Sequence, residues 1–131
     1  MVGKKVLIAE DDKDILFILN LVLKDAGYTV EPLIEGSSIV ARTKDWPDLF
    51  IIDQNMPLID GLALCKFLRL KEETKNIPII MISCFHKLKR RAREVGVDDF
   101  IEKPFHVKDL LLTVEKYIAL HDNRVNSYHA S

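Results

Sequence analysis

The sequence predicts an α/β fold in which a parallel sheet is covered by helices on both faces. Short apolar runs rich in strand-forming residues alternate five times with segments whose apolar residues recur at helical spacing. Three of these runs, "VLIA", "LFII" and "IIMI", are continuously apolar, as strands are when both faces of a parallel sheet are buried. Five βα units without repeats or linkers therefore predict one doubly wound domain.

The first half of the chain contains three predicted strands and two predicted helices. An apolar strand over residues 4–9 precedes a helix that begins at Asp12 and ends at Gly27, because glycine favours the position that closes a helix. "YTVEP" is the second strand, and a short, weakly patterned helix follows at residues 37–43. The third strand, "DLFIID", ends on Asp53.

The second half completes the alternation of strands and helices. Asp60 and Gly61 introduce the third helix, "IPIIMIS" is the fourth strand, and the basic segment "KLKRRAREVG" is the fourth helix. "DDFIE" is the fifth strand, and a last helix follows with apolar residues at close to ideal spacing. The pattern stops after Leu120, so we expect a domain over residues 1–121 and a short flexible tail over residues 122–131.

Acidic residues stand at two strand ends that the predicted topology brings together. For five such units the flavodoxin-like strand order 2-1-3-4-5 is the natural arrangement, and it places the carboxyl ends of strands one and three side by side. Glu10 and Asp11 follow the first strand, and Asp53 ends the third. Two carboxylates about 4 Å apart repel by roughly 4 kcal/mol at an effective dielectric of about 20, so the cluster would raise its own pKa values unless it held a cation. Oxygen ligands suit Mg²⁺. A helix cap by Asp11 or Asp12 is the alternative, but a cap needs one acid and not three.

The remaining strand ends supply a hydroxyl group and an ammonium group. Ser83 ends the fourth strand and Lys103 ends the fifth. A nucleophilic carboxylate, a metal site, a hydroxyl donor and a fixed cation are the groups that phosphoryl transfer requires. The residues therefore predict Asp53 as the nucleophile, with Lys103 and Ser83 stabilising the phosphoryl oxygens.

The sequence resembles the receiver domains of response regulators in two-component signal transduction, in the single-domain form of the chemotaxis regulators. The resemblance covers residues 4–120 and rests on "VLIAEDD", "IIDQNMPLIDG", "IIMIS" and "GVDDFIEKPF". It implies that Asp53 is the phosphorylated residue. It also implies that Mg²⁺ is bound by Asp11, by Asp53 and by the backbone carbonyl of Asn55, with Glu10 acting through water.

The resemblance also implies a switch and its partners. Lys103 pairs with the phosphoryl group, Ser83 is the switch hydroxyl and Phe100 is the switch aromatic, while the peptide bond before Pro104 is usually cis in this family. A sensor histidine kinase or a histidine phosphotransfer protein donates the phosphoryl group to Asp53. A downstream target protein then reads the surface formed by helix 4, strand 5 and helix 5.

Composition excludes several other classes of protein. The chain carries 19 basic and 20 acidic residues, a net charge of −1, which lacks the basic excess typical of nucleic-acid binding. Its longest uncharged stretch, residues 76–86, is shorter than the roughly 18 to 20 residues needed to span a bilayer, so we expect a cytoplasmic protein without a membrane contact. Cys65 and Cys84 lack disulfide or zinc spacing and are expected as reduced thiols.

We expect a signalling phosphoacceptor that catalyses its own phosphorylation and dephosphorylation and is not a metabolic enzyme. Two other functions stay open. A degenerate receiver that acts as a scaffold is one, although all the key residues are present. A Mg²⁺-dependent phosphohydrolase with an aspartyl-phosphate intermediate is the other, but it typically needs a second acid where Asn55 stands. The sequence also leaves open whether the chain acts alone or within a larger regulator, and whether it forms a homodimer.

The sequence departs from the pattern of the family around the fourth helix. The spacing from Ser83 to Lys103 is slightly shorter than usual, which predicts that the loop into this helix, or the first turn of the helix, is trimmed. Cys84 stands where a small residue is usual, and we expect a buried substitute there, with a redox-sensitive thiol as the alternative. The basic residues of the helix indicate a solvated face or a docking surface for an acidic partner.

Overall fold

The structure is a computed structural model that describes the backbone of residues 3–130 and the side chains of residues 3–123. Its elements alternate along the chain: β1 (Lys5–Ala9), α1 (Lys13–Asp25), β2 (Thr29–Leu33), α2 (Ser37–Val40), β3 (Leu49–Asp53), α3 (Gly61–Leu70), β4 (Ile79–Ser83), a 3₁₀ turn (His86–Leu88) leading into α4 (Lys89–Glu94), β5 (Asp99–Glu102) and α5 (Val107–Ala130). The five strands pair in parallel in the order β2-β1-β3-β4-β5, which confirms the predicted flavodoxin-like topology.

The continuously apolar strands divide their side chains between two cores, because successive residues of a strand point to opposite faces. Ile51 of β3 belongs to the core beneath α1 and α5, whereas its neighbours Phe50 and Ile52 belong to the core beneath α2, α3 and α4. All three side chains are fully buried. The run of apolar residues in each central strand is therefore explained by burial on both sides.

Side-chain caps fix the starts of the two helices that flank the strand ends. Asp12 precedes α1, and its Oδ1 accepts hydrogen bonds from the backbone N–H groups of Asp14 at 2.9 Å and Ile15 at 3.2 Å. Asp60 precedes α3 and accepts from the N–H of Ala63 at 2.8 Å. Gly27 follows α1 with φ of 101°, a conformation that favours glycine, as the sequence predicts.

Three helices differ in extent from the sequence-based prediction. The second helix was expected at residues 37–43 but spans only Ser37–Val40, and the fourth begins as a 3₁₀ turn before six α-helical residues. The fifth helix continues past residue 121, and the carboxylate of Asp122 lies 2.6 Å from Lys4 Nζ. Side chains of residues 124–131 lie outside the described part, so the division into a domain over residues 1–121 and a tail over residues 122–131 stays a prediction. Within the described residues, no helix is apolar enough over a sufficient length to cross a bilayer.

Candidate functional site

Two buried carboxylates meet at the edge of the sheet where the strands end. Parallel pairing of β1 with β3 sets Ala9 opposite Ile52, so the next residues, Glu10 and Asp53, leave their strands side by side. Glu10 is fully buried and Asp53 is 2% exposed. Buried acids cost free energy unless they are paired, so their neighbours decide what this site can do.

Lys103 supplies the positive charge for both carboxylates. Its Nζ lies 2.9 Å from Glu10 Oε1 and 3.1 Å from Asp53 Oδ1. The backbone N–H of Lys103 donates to the carbonyl of Ser83 at 2.8 Å, which fixes the residue beyond the end of β5, and the peptide bond to Pro104 is cis. One ammonium therefore faces two buried acids, and the pocket keeps an excess of negative charge.

Asp11 adds a third carboxylate on the solvent side of this pair. Oxygen atoms of Glu10, Asp11 and Asp53 all lie within 4.8 Å of one another. Mg²⁺ holds oxygen ligands at about 2.0–2.1 Å, so two ligands of one ion lie at most about 4.2 Å apart. Small side-chain movements bring the three acids within that limit, and an exposed Asp11 leaves room for the water molecules that Mg²⁺ retains. The donor set therefore fits this ion.

Burial and mutual repulsion alter the proton affinities in the pocket. Burial raises the pKa of Glu10 to about 7, although the hydrogen bond from Lys103 opposes the shift. Burial also raises the pKa of Asp53, against the hydrogen bonds from Glu10 and Lys103. Burial by itself would lower the pKa of Lys103, but its hydrogen bonds to the two carboxylates outweigh burial and raise it. The lysine therefore stays charged, and a divalent cation would reduce the repulsion between the carboxylates and lower their pKa values.

The predicted switch residues lie on the two strands beyond β3. Ser83 is fully buried, and its Oγ accepts a hydrogen bond from the N–H of Phe85 at 3.0 Å. Phe100 is half-buried, packs against the core beneath α2, α3 and α4, and lines a small cavity beside Lys89 and Arg93 of α4. Both residues therefore lie beside the segment that contains α4, and their role as a switch stays a prediction.

Asn55 lies in the loop that follows β3, and its neighbour Gln54 was missed by the sequence analysis. Gln54 is 7% exposed, and its Oε1 accepts a hydrogen bond from the N–H of Leu62 at 2.7 Å. The sequence offered one signal for Gln54, which is that a polar residue directly follows a strand of buried residues. The bond itself joins residues eight positions apart and requires the fold.

The two cysteines have opposite environments. Cys65 is buried, and burial raises the pKa of its thiol to about 12, so it is unreactive. Cys84 is exposed, so the expectation of a buried substitute for a small residue was wrong. It lies on the rim of an apolar cavity of about 360 Å³ between α1 and the loop that joins β5 to α5. The residues that line this cavity are Ile15, Ile18, Leu19, Cys84, Lys103, Pro104, Phe105 and Val107.

The chain is a doubly wound, flavodoxin-like domain with acids, a hydroxyl and a lysine at the carboxyl edge of its sheet. The chain belongs to the response regulator receiver domain family, which matches residues 6–115. It is 32% identical over 114 residues to the phosphate regulon transcriptional regulatory protein PhoB of Rhizobium meliloti, a match that covers 85% of this chain and 50% of that protein. It is also 32% identical over 113 residues to the DNA-binding dual master transcriptional regulator RpaA of Synechocystis, covering 84% and 47%. The chain thus spans about half the length of these relatives.

Solved structures agree with this assignment. The chemotaxis response regulator CheY4 of Vibrio cholerae superposes with a TM-score of 0.82 at 30% identity, covering 88% of this chain and 99% of that one. The receiver domain of the Francisella response regulator 1452 superposes with a TM-score of 0.80 at 28% identity, covering 88% and 97%. The resemblance inferred from the sequence motifs is therefore confirmed at the level of the family and the fold.

Proposed function

We propose that this chain is a phosphoacceptor that receives a phosphoryl group on Asp53, in a Mg²⁺-dependent step, from a sensor histidine kinase or a histidine phosphotransfer protein. The observation that carries the proposal is the single ammonium of Lys103 shared between the buried carboxylates of Glu10 and Asp53. Buried ion pairs contribute little net stability, and this one leaves an acid in excess, so chemistry explains it better than folding does.

The transfer follows from the positions of these groups. A carboxylate oxygen of Asp53 forms the new P–O bond while the P–N bond of the donor's phosphohistidine breaks, and the imidazole nitrogen keeps the electron pair of that bond. Lys103, already in contact with Asp53, neutralises a phosphoryl oxygen as charge accumulates, and the Ser83 hydroxyl donates a hydrogen bond to another. Asp11, Asp53 and the Asn55 carbonyl, with Glu10 acting through water, would hold Mg²⁺, which would screen the repulsion between the acids and the incoming group.

The apolar cavity beside Lys103 provides a docking site for the donor. Ile18 of α1 and Phe105 of the β5–α5 loop line its walls, and Phe17 and Leu21 extend the apolar surface along α1 with exposures of 68% and 59%. A helical partner that presents its histidine above Asp53 would bury this surface, which gives donor recognition a hydrophobic component. We assign kinase selectivity mainly to α1 and to the β5–α5 loop.

Phosphorylation then changes the surface formed by α4, β5 and α5. Ser83 leaves its bond to the Phe85 N–H to reach the phosphoryl group, and Phe100 moves into the space that this opens, which shifts an existing equilibrium between two arrangements of α4. A downstream target protein recognises the altered surface. In this proposal the chain works in the cytoplasm as a signalling protein and not as a metabolic enzyme, without contacting nucleic acid itself.

Intact mass after incubation with acetyl phosphate tests the proposal. We expect one phosphoryl adduct that requires Mg²⁺ and is absent from Asp53→Ala. An adduct that persists in Asp53→Ala would reject Asp53 as the acceptor. No adduct from acetyl phosphate or from purified histidine kinases would leave a scaffold, and repeated turnover of a small phosphate ester would indicate a phosphohydrolase instead.

A further inference from the structure

We propose that Gln54 is a positioning residue for the metal site: its side chain clamps the loop of residues 55–60, so that the Asn55 backbone carbonyl is held where Mg²⁺ binds. The inference rests on the proposed function, because it concerns the loop that would complete that site. No motif of the sequence assigns a role to Gln54.

Gln54 joins three parts of the molecule through both its backbone and its side chain. Its N–H donates to the carbonyl of Ile82 in β4 at 3.0 Å, and its carbonyl accepts from the N–H of Gly61 at 2.9 Å. Its side-chain Oε1 accepts from the N–H of Leu62 at 2.7 Å, in the first turn of α3. The residue next to Asp53 is therefore bonded to both amides at the far end of the loop, which closes residues 55–60 into a ring.

The loop needs such a closure, because its path is tight and unfavourable. A Cβ atom on Gly61 would lie 2.7 Å from the carbonyl oxygen of Asp53, so the loop returns directly onto the end of β3. Leu58, in the middle of the loop, has φ of 71° and is 84% exposed. A leucine rarely adopts this left-handed conformation, and little packing of its own side chain holds it there. The N–H of Ile59 donates to the carbonyl of Pro57 at 2.8 Å across it, and Met56 and Ile59 pack against the core, so the closure by Gln54 adds to these contacts in fixing the path of the loop.

A simple helix cap does not account for this arrangement. Asp60 already caps α3 through the N–H of Ala63, the amide after Leu62. Asp60 belongs to the loop itself, however, whereas Gln54 belongs to the end of the strand that carries Asp53. Of these two side-chain bonds, only that of Gln54 therefore couples the start of α3 to the phosphorylation site, where it adds to the backbone bond between Gly61 and Gln54, while both side-chain bonds stabilise the helix.

This difference provides a matched pair of variants. Gln54→Met keeps the length of the side chain but removes the oxygen acceptor, and Gln54→Glu keeps an acceptor at the same place. Asp60→Ala removes the neighbouring cap. Residues that orient metal ligands typically affect metal affinity by 10- to 100-fold, so we expect Gln54→Met to raise the Mg²⁺ dissociation constant about 10-fold. Gln54→Glu should recover most of the loss, and Asp60→Ala should stay within about twofold of wild type at 0.15 M salt.

Isothermal titration of the metal-free protein with Mg²⁺ measures these constants without reference to phosphorylation. Thermal unfolding without Mg²⁺ provides the structural readout, and there we expect Gln54→Met and Asp60→Ala to be similarly destabilised. Equal Mg²⁺ affinity in folded Gln54→Met and wild type would overturn the inference and leave the proposed function intact. A wild-type protein that binds no Mg²⁺ would overturn both.

Hydrogen exchange of the wild type tests the same coupling without any substitution. If the clamp favours the metal site, then Mg²⁺ must favour the clamp by the same factor. We expect Mg²⁺ to slow exchange of the Leu62 amide about 10-fold and exchange of the Ala63 amide much less. Equal slowing of the two amides, or no slowing of either, would reject Gln54 as the coupling residue, including in the case that Gln54→Met does not fold.

Discussion

The two faces of the sheet are built in different ways. On one face, α1 has 13 residues with a side-chain cap and α5 has 24, and both bury regular apolar stripes. On the other face, α3 has 10 residues and a side-chain cap, but α2 has four residues and α4 has six, and neither of these two helices has a side-chain cap. Helix packing therefore holds the first face throughout, whereas on the second face only α3 packs in this way and the segments around α2 and α4 depend more on bonds between side chains and loops. The face that contains the proposed switch is the one with less regular structure of its own, as local stability arguments require of a moving element.

Arg69 shows how the second face is held together. From the end of α3 it donates to the carbonyls of Gly96 at 2.8 Å and Ile77 at 2.7 Å, and it pairs with Asp98 at 2.6 Å. Asp98 also accepts from the N–H of Ile79 at 2.8 Å. One side chain thus connects α3 with the loops at the amino ends of β4 and β5, at the edge of the sheet opposite to Asp53. The bond to Gly96 anchors the carboxyl end of α4 at this edge, while the amino end of α4 lies on the side of the functional site.

The largest expected effect tests the claim that packing holds the first face. Leu23 of α1 is fully buried, so Leu23→Ala should lower the free energy of unfolding by about 3–4 kcal/mol, the usual cost of a cavity in a core. Leu21 lies on the same helix with 59% exposure, and Leu21→Ala should cost less than about 0.5 kcal/mol. Urea unfolding measures both. Equal losses for the two variants would contradict the assignment of this face to core packing.

A somewhat smaller loss is expected on the second face, where a hydrogen-bonding residue is the target. Arg69→Met keeps most of the apolar stem but removes the donor to the carbonyls of Gly96, Thr74 and Ile77. It also removes the cationic partner of Asp98, which keeps its bond from the N–H of Ile79, so we expect a loss of about 3 kcal/mol. The control is Arg90→Met on α4, whose side chain is 90% exposed, with an expected change below about 0.5 kcal/mol. Hydrogen exchange should show the loosening first in the loop before β5. Uniform loosening of α1 and α4 would remove the distinction between the two faces.

The sequence predicted the first face better than the second, because the packing of long helices leaves a sequence pattern and bonds between distant residues do not. The core strands and α1 were predicted closely, because buried elements have apolar residues in continuous runs or at helical spacing, and both patterns are visible in the sequence. The extent of α2 was not, since the loop after it is held by contacts distant in sequence, such as those of Arg42 with Glu31 and of Asp48 with the N–H of Lys5. At the site, strand-end reasoning brought Glu10 and Asp53 together. It could not reveal the bond of Gln54 to Leu62, which has no local pattern.

The smallest effect concerns the edge that both faces share and follows from the raised pKa of Glu10. Burial raises this pKa to about 7 from an ordinary value near 4.5, so the folded state binds the proton more tightly than the unfolded state does. The resulting stability is fully present below about pH 4.5 and is lost as the pH rises through 7. Without Mg²⁺, the free energy of unfolding should therefore fall between pH 5 and pH 8, by about 2 kcal/mol.

Urea unfolding in EDTA at several pH values measures this slope. Glu31 does not interfere, because the hydrogen bond from Arg42 lowers its pKa to about 2 and its contribution is constant above pH 5. Glu10→Gln should reduce the slope, since the amide cannot titrate, and saturating Mg²⁺ should reduce it in the wild type by favouring the ionised carboxylates. A wild-type stability that rises from pH 5 to pH 8 in EDTA would show that Lys103 compensates both buried acids. The pocket would then have no excess negative charge, and the carboxyl edge of the sheet would not differ in this respect from the two apolar cores.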